Sequence, residues 1–188
     1  ALTATAGTRV HDDIVQTLCL HNPFVSSSTF DRPNLEITAH TACSINSQHW
    51  PDMFRSLVRT YSNTGSHPDA SAGSVVVYVQ SRKMAESLCK WLNQQLPRAS
   101  VQCYHAGLST VTRSRAQQSF VDGSSQIIVA TVAFGMGIDK PDIRQIIHVG
   151  APKSIEEYSQ QIGRAGRDGS ASKCCMWFTN ADFVKHKM

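Results

Sequence analysis

The sequence predicts an α/β fold, a mostly parallel central sheet with helices on both faces. Three observations lead there. Val75-Val76-Val77-Tyr78-Val79 and Gln126-Ile127-Ile128-Val129-Ala130 are apolar runs without alternation, the pattern of strands buried on both faces. Between such runs lie stretches with apolar residues every three or four positions, the period of amphipathic helices. The connections are short, and strand-helix alternation with short links favours a parallel sheet. The chain has 188 residues, 41% hydrophobic and 17% charged, which suits one domain with a sizeable core and excludes disorder. No apolar run approaches the roughly 18 residues of a membrane span.

Val10, Ile14 and Leu18 recur every four residues and predict a first helix, entered at Gly7-Thr8 and ended by His21-Asn22-Pro23. Trp50, Met53, Phe54, Leu57, Val58 and Tyr61 predict a second. Residues 62–74 carry loop chemistry throughout. After the strand at 75–79, Met84, Leu88, Trp91 and Leu92 predict a helix ending before Pro97. Val101 to Tyr104 is a short strand, and 109–120 a helix capped by Ser109. Strands follow at 126–130 and from Ile143 to Val149. Ser154 with Glu157 forms a capping box that opens a helix carrying Ile155, Tyr158 and Ile162. Cys174 to Phe178 is the last strand. Trp50, Trp91 and Trp177 sit in apolar patterns and are expected in the core.

Ligands of such sheets gather at the carboxyl ends of the strands. The segments to weigh are therefore Gln80-Ser81-Arg82-Lys83, His105-Ala106-Gly107, Thr131 to Lys140, and Gly150 to Lys153.

Charge is uneven. Residues 1–94 hold seven basic and seven acidic residues, and residues 95–188 hold eleven and seven, so the whole net charge of +4 lies in the second half. That bias fits a solvated surface or one that meets phosphates. The six cysteines form no Cys-x-x-Cys pair, which argues against a zinc site or a disulfide framework and for buried free thiols in a reducing compartment.

Two segments carry most of the chemistry. Gln160-Gln161-Ile162-Gly163-Arg164-Ala165-Gly166-Arg167-Asp168-Gly169 sets two arginines, three apart, among glycines at a helix end. Glycine admits a close backbone approach, and the guanidinium fork matches phosphate oxygens. Solvated arginines at a flexible helix end would look the same. In Ala130 to Pro141 a strand runs into Gly135-Met136-Gly137 and then Asp139-Lys140. No Lys-Ser/Thr follows, so this is not a phosphate-cradling loop. Asp139 offers an acceptor to a sugar hydroxyl, or a cap to local backbone.

Taken together these segments resemble the second, C-terminal RecA-like lobe of RecQ-family superfamily 2 DNA helicases. Ala1 to Ala6 is similar to helicase motif III, Phe30-Asp31-Arg32-Pro33-Asn34 to the family's F-[DN]-R-P-N signature, and Tyr104-His105-Ala106-Gly107-Leu108 to its YHAGL segment. Residues 130–141 are similar to motif V and 160–167 to motif VI. Ser81 to Met84, Asp142 to Gln145 and His148 to Lys153 resemble the Werner-syndrome type. The resemblance spans the chain and is weakest at 38–72. It implies that residues 1–34 hold the end of the first lobe and a linker, and that 35–188 are the second lobe, excised from a longer protein. A Gly-x-x-x-x-Gly-Lys-[Ser/Thr] loop and an Asp-Glu pair are both missing from the sequence. The resemblance places both in a preceding lobe and a zinc module after Met188.

What the resemblance implies for function is a motor half of an ATP-dependent 3′→5′ DNA helicase using ATP with Mg²⁺, acting in repair, recombination or replication. Such a protein is nuclear in a eukaryote and cytoplasmic in a bacterium. Arg167 would be the principal arginine finger with Arg164 beside it, Gln160 would link the nucleotide to moving elements, and Asp139 and Gly137 would contact the nucleotide. Ser81, Arg82, His105, Thr131, Lys140 and Arg144 would grip single-stranded DNA near a duplex junction. Arg32 and His105 have equally good structural readings. The implied partners are DNA and the first lobe, with no membrane. Two other readings stay open: an RNA helicase lobe of the same superfamily, against which Ala1 to Ala6 and Phe30 to Asn34 argue, and a non-catalytic nucleic-acid-binding or docking lobe.

Overall fold

The structure, a computed structural model, describes residues 8–25, 31–62, 73–135 and 138–184. The chain divides into two compact units, Ala1–Pro33 and Asn34–Met188. In the first, α1 spans Thr8–Thr17 and stops four residues before the expected His21. Cys19 adopts a left-handed φ of +49°, and the Leu20 amide donates back to the Val15 carbonyl at 3.0 Å, which closes the helix. The motif III segment 1–6 and Phe30 lie outside the described residues.

The second unit is an α/β layer structure. Its described strands are β1 (Leu35–Thr41), β2 (Ser74–Val79), β3 (Val101–Tyr104), β4 (Ile127–Ala130), β5 (Ile143–Val149) and β6 (Ser172–Phe178). They form one sheet in the order β1-β6-β5-β2-β4-β3, with every pair parallel. The described helices here are α2 (Trp50–Met53), α3 (Arg55–Ser62), α4 (Arg82–Gln95), α5 (Thr110–Val121), α6 (Ile155–Ile162) and α7 (Asn180–Val184).

Central β2 is buried at every position, and its alternation feeds two cores. Val75, Val77 and Val79 pack with Trp50, Phe54, Leu57 and Tyr61 of the α2–α3 region and with Leu88 and Leu92 of α4. On the other face, Val76 and Tyr78 pack with Phe120 of α5, Phe134 and Ile138 of the β4–β5 connection, and Ala165 beyond α6. Each fully buried Leu or Phe contributes roughly 1.5–3 kcal/mol, so both layers are strongly anchored.

Four expectations need correction. The single helix at 50–61 is two, since Phe54 leaves helical geometry (φ −107°, ψ 11°), although the Phe54 amide to Trp50 carbonyl and Val58 amide to Phe54 carbonyl bonds run through the junction. The sequence reading assigned no strand at 35–41, yet β1 pairs with β6 along its whole length. It also passed over α7, at whose start the Asp182 carboxylate accepts from both the Thr179 amide, at 2.8 Å, and the Thr179 hydroxyl, at 3.1 Å. Finally, all six cysteines are free, but only Cys89 and Cys174 are buried, and Cys19 and Cys43 are exposed. Trp50 is buried, while Trp91 and Trp177 are half-buried against the same core. Most of the 62–74 loop lies outside the described residues.

Candidate functional site

Parallel strands put every carboxyl end on one edge of the sheet. There Ser81 caps α4, its hydroxyl accepting from the Met84 amide at 3.2 Å. Arg82 opens α4 with an exposed side chain that passes close to Gly107. Thr131 leaves β4 half-buried; its amide donates to the Tyr104 carbonyl, and its carbonyl accepts from Phe134. His105 is buried. Its Nδ1 accepts from the Gly107 amide at 3.2 Å, so its Nε2 donates to Glu86 at 3.1 Å. Ser81, Arg82, His105 and Thr131 therefore sit on three neighbouring strand ends, with His105 inside the turn.

Beside them lies a cleft of about 210 Å³, lined by residues at the carboxyl ends of β2 and β5 and by α6, among them Tyr78, Gln80, Lys153 and Glu157. The connections leaving β2 and β5 run to opposite sides of the sheet, so this is a topological switch point, where α/β sheets bind ligands. Buried in its wall, His148 shares a 2.7 Å hydrogen bond with the Gln161 amide oxygen, and Gln161 donates to Glu157 at 2.9 Å. The Gln161 orientation makes His148 Nε2 the donor. His148 Nδ1 is buried and has no hydrogen-bond partner among the described residues. Burial pushes the His148 pKa down to about 4, against the smaller opposing pull of Gln161, so the ring is neutral at pH 7.

The other predicted residues lie at the amino edge of the sheet. Lys140, just before β5, is buried; its Nζ donates to the Val121 carbonyl at 3.3 Å and pairs with Asp142 at 3.2 Å. Arg144, the second residue of β5, makes a bidentate pair with Asp168 and reaches Ser172. The Arg144 guanidinium holds the Asp168 carboxyl below the usual carboxylate range, with help from the Ser170 amide. Neither cation is at a strand carboxyl end, so the structure does not bring them together with Arg82 and Thr131.

The two arginines of the 160–169 segment have opposite surroundings. Arg167 is exposed and donates to the Ile138 carbonyl and to Asp139, both at 3.0 Å. Arg164 is only 9% exposed and lies against Gly135 and the Tyr78 hydroxyl. Its Nε has no hydrogen-bond partner, and no carboxylate pairs with it among the described residues. Gly166, at φ +53°, carries the chain between them; its carbonyl and that of Ser170 accept from the Asn34 amide at 2.9 and 3.0 Å. A side chain there would strike the Asn34 amide, so glycine is needed. Gln160 is exposed on α6, and Gly137 lies outside the described residues. No group of three or more His, Cys, Asp or Glu side chains that would hold a metal occurs among the described residues.

Comparison with known proteins decides what such a sheet is. The helicase conserved C-terminal domain profile matches residues 57–169. The chain belongs to that helicase domain family. RecQ-type helicases are among its relatives, beside a putative ATP-dependent RNA helicase of Acanthamoeba polyphaga mimivirus at 38% identity over 98% of the chain. The chain is 41% identical over its whole length to the ATP-dependent helicase wrn-1 of Caenorhabditis elegans, of which it covers 17%. It is 40% identical over 97% of its length to the bifunctional 3'-5' exonuclease/ATP-dependent helicase WRN of Mus musculus, of which it covers 12%. It is 35% identical over 98% to the ATP-dependent DNA helicase RecQ of Pasteurella multocida, of which it covers 27%. The chain thus spans less than a third of these proteins. Its fold is that of helicase lobes: Saccharomyces cerevisiae Dbp5 bound to RNA and ADP BeF3 superposes with a TM-score of 0.72 at 20% identity, over 97% of this chain and 45% of that one.

Sequence reasoning had no hold on Tyr78, His148 and Gln161. Tyr78 and His148 sit inside apolar strand runs, and Gln161 adjoins the chosen Gln160 without a mark of its own. Gln80 and Lys153 fell within the flagged strand-end segments, and both line the cleft.

Proposed function

We propose that this helicase C-terminal domain is the second motor lobe of a RecQ-type, ATP-dependent 3′→5′ DNA helicase. Its carboxyl edge grips single-stranded DNA, and its 160–169 segment serves a nucleotide held between two lobes. The observation that carries the reading is Arg164, a buried guanidinium with no acid partner among the described residues, three residues from the exposed Arg167. A buried cation without a counter-charge is costly, and an anion from outside relieves it.

The residues fit one end of the implied nucleotide. Arg164 and Arg167 suit the terminal phosphate of ATP, and Asp139 suits the ribose. Mg²⁺ has no cluster of acids here among the described residues, and the phosphate-cradling loop is missing from the sequence, so both are assigned to a preceding lobe. When bound, ATP supplies a phosphoryl group whose charge arginines stabilise. Arg167 exchanges Asp139 for that charge; Asp139, released, is free for a hydroxyl. At the other edge Arg82, the Ser81 region and Thr131 hold phosphates without reading bases. Such a protein would serve repair, recombination or replication, in the nucleus of a eukaryote.

The test joins this chain to a nucleotide-binding lobe and measures DNA-stimulated ATP hydrolysis and strand displacement on DNA and RNA duplexes. Loss of turnover in Arg164→Ala and Arg167→Ala, with DNA preferred, supports the reading. Normal turnover in both, or robust ATPase by the 188-residue chain alone, overturns it. Preference for RNA duplexes would favour an RNA helicase.

A further inference from the structure

Arg164 is enclosed by Tyr78 on one side and Gly135 on the other. The Tyr78 hydroxyl donates to the Phe134 carbonyl at 3.1 Å and faces the Arg164 guanidinium. The ring of Tyr78 stacks on His148 at 5.4 Å, and His148 is tied to Gln161, one turn before Arg164. From the other side Gly135 closes the space: a Cβ at 135 would lie 2.6 Å from Arg164 Nη2 and 3.1 Å from its Cζ. The side chain is thus set by a phenol on one flank and a bare backbone on the other.

We propose that Tyr78 and Gly135 are positioning residues for Arg164, holding its guanidinium between the β4–β5 connection and the end of β2. This rests on the reading of Arg164 as a phosphate-directed arginine. Both residues act through Arg164. The Tyr78 hydroxyl, by bonding Phe134 as well, ties the loop that begins at Thr131 to the arginine. A shift of that loop, which borders the strand-end edge, therefore moves Arg164. Burial of the phenol raises its pKa to about 12, against the opposing pull of Arg164, so it stays protonated and can donate to Phe134 at every working pH.

Two substitutions disturb the arginine by unrelated means. Tyr78→Phe removes the hydroxyl and keeps the ring stack. Gly135→Ala keeps the hydroxyl and crowds the guanidinium; what must yield is the far end of a flexible side chain, so folding is affected little. In a protein joining this chain to a nucleotide-binding lobe, both variants should lower the kcat of DNA-stimulated ATP hydrolysis by about ten- to a hundredfold, as misplaced catalytic groups do. KM for ATP should stay within about twofold, since the loss falls on the transition state. Each variant combined with Arg164→Ala should be no slower than Arg164→Ala alone, because the three residues act as one unit. A merely structural role predicts a lower melting temperature with unchanged turnover per folded molecule.

Wild-type kcat in either single variant, or full additivity with Arg164→Ala, overturns the positioning role while leaving the arginine reading intact. Wild-type turnover in Arg164→Ala itself refutes that reading and the positioning role together.

Discussion

The two edges of the sheet hold cations in opposite ways. At the amino edge three cations have acids: Lys140 pairs with Asp142, Arg144 with Asp168, and Arg167 with Asp139. At the carboxyl edge Arg82, Lys83 and Lys153 are exposed and make no ion pair among the described residues. Val132 and Ile155 lie exposed beside them, Ile155 at 72%. With strands of four to seven residues, the edges are roughly 13–23 Å apart. Paired charges mainly stabilise the lobe, and unpaired ones remain available to a polyanion. Lys140 and Arg144, read from the sequence as DNA contacts, are each tied to an acid in the fold. Arg167 spans the distinction, because its pair with a 90% exposed Asp139 is weak enough to exchange.

The sharpest way to break this contrast is Arg167→Ala. If Arg167 is only another amino-edge strut, the variant loses stability and keeps turnover. We expect the reverse in a protein with both lobes: turnover falls by about a thousandfold or more, and the melting temperature hardly moves, because the lost pair is exposed. Near-normal turnover, read beside a thermal melt, would return Arg167 to the structural set.

Next in size is acid sensitivity at the carboxyl edge. His148 is neutral when folded with a pKa near 4, and near 6.5 when unfolded. The unfolded chain therefore takes the proton first. Stability rises with pH across about 4 to 6.5, is unaffected by His148 above that window, and is lower by a few kcal/mol below it. Urea melts at pH 5 and 7.5 on wild type and His148→Gln should show the wild-type difference shrinking. An equal difference in both would assign the effect to other groups.

Smaller still is the loss from Asn34→Ala. It removes two hydrogen bonds to the Gly166 and Ser170 carbonyls and should cost about 1–2 kcal/mol in equilibrium unfolding. Asn34→Asp should do no better, since a carboxylate would face two carbonyl oxygens. Wild-type stability in either variant would show that the amino edge does not depend on this anchor.

The subtlest effect separates the edges by salt. Arg82→Ala should leave stability unchanged and lower the slope of log affinity against log salt for single-stranded DNA by about 0.7. Lys140→Met should leave that slope alone. A flatter slope for Lys140→Met would place DNA on the amino edge and abolish the contrast.

How much was legible in advance depends on where each signal came from. The strand at 75–79 was plain because full burial demands an unbroken apolar run. β1 was not, because it is an edge strand whose pairing with β6 uses backbone groups; Ile37 is 54% exposed, so burial left little pattern to read. The N-caps at Ser154 and Ser109 were readable as local chemistry, and their hydroxyls accept from the Glu157 and Thr112 amides. In the 160–169 segment the arginines were conspicuous, yet their environments were not. Sequence by itself determined the element order from β2 to β6, the parallel layering and the residues rich in phosphate chemistry, because periodicity, capping and residue type act over a few neighbours. Only the tertiary structure decided that Arg164 lies buried on Tyr78, that Lys140 and Arg144 face acids, and that His148 meets Gln161. Those pairings join residues brought together by strand order and crossover, and charge or burial at such distances leaves no trace in local spacing.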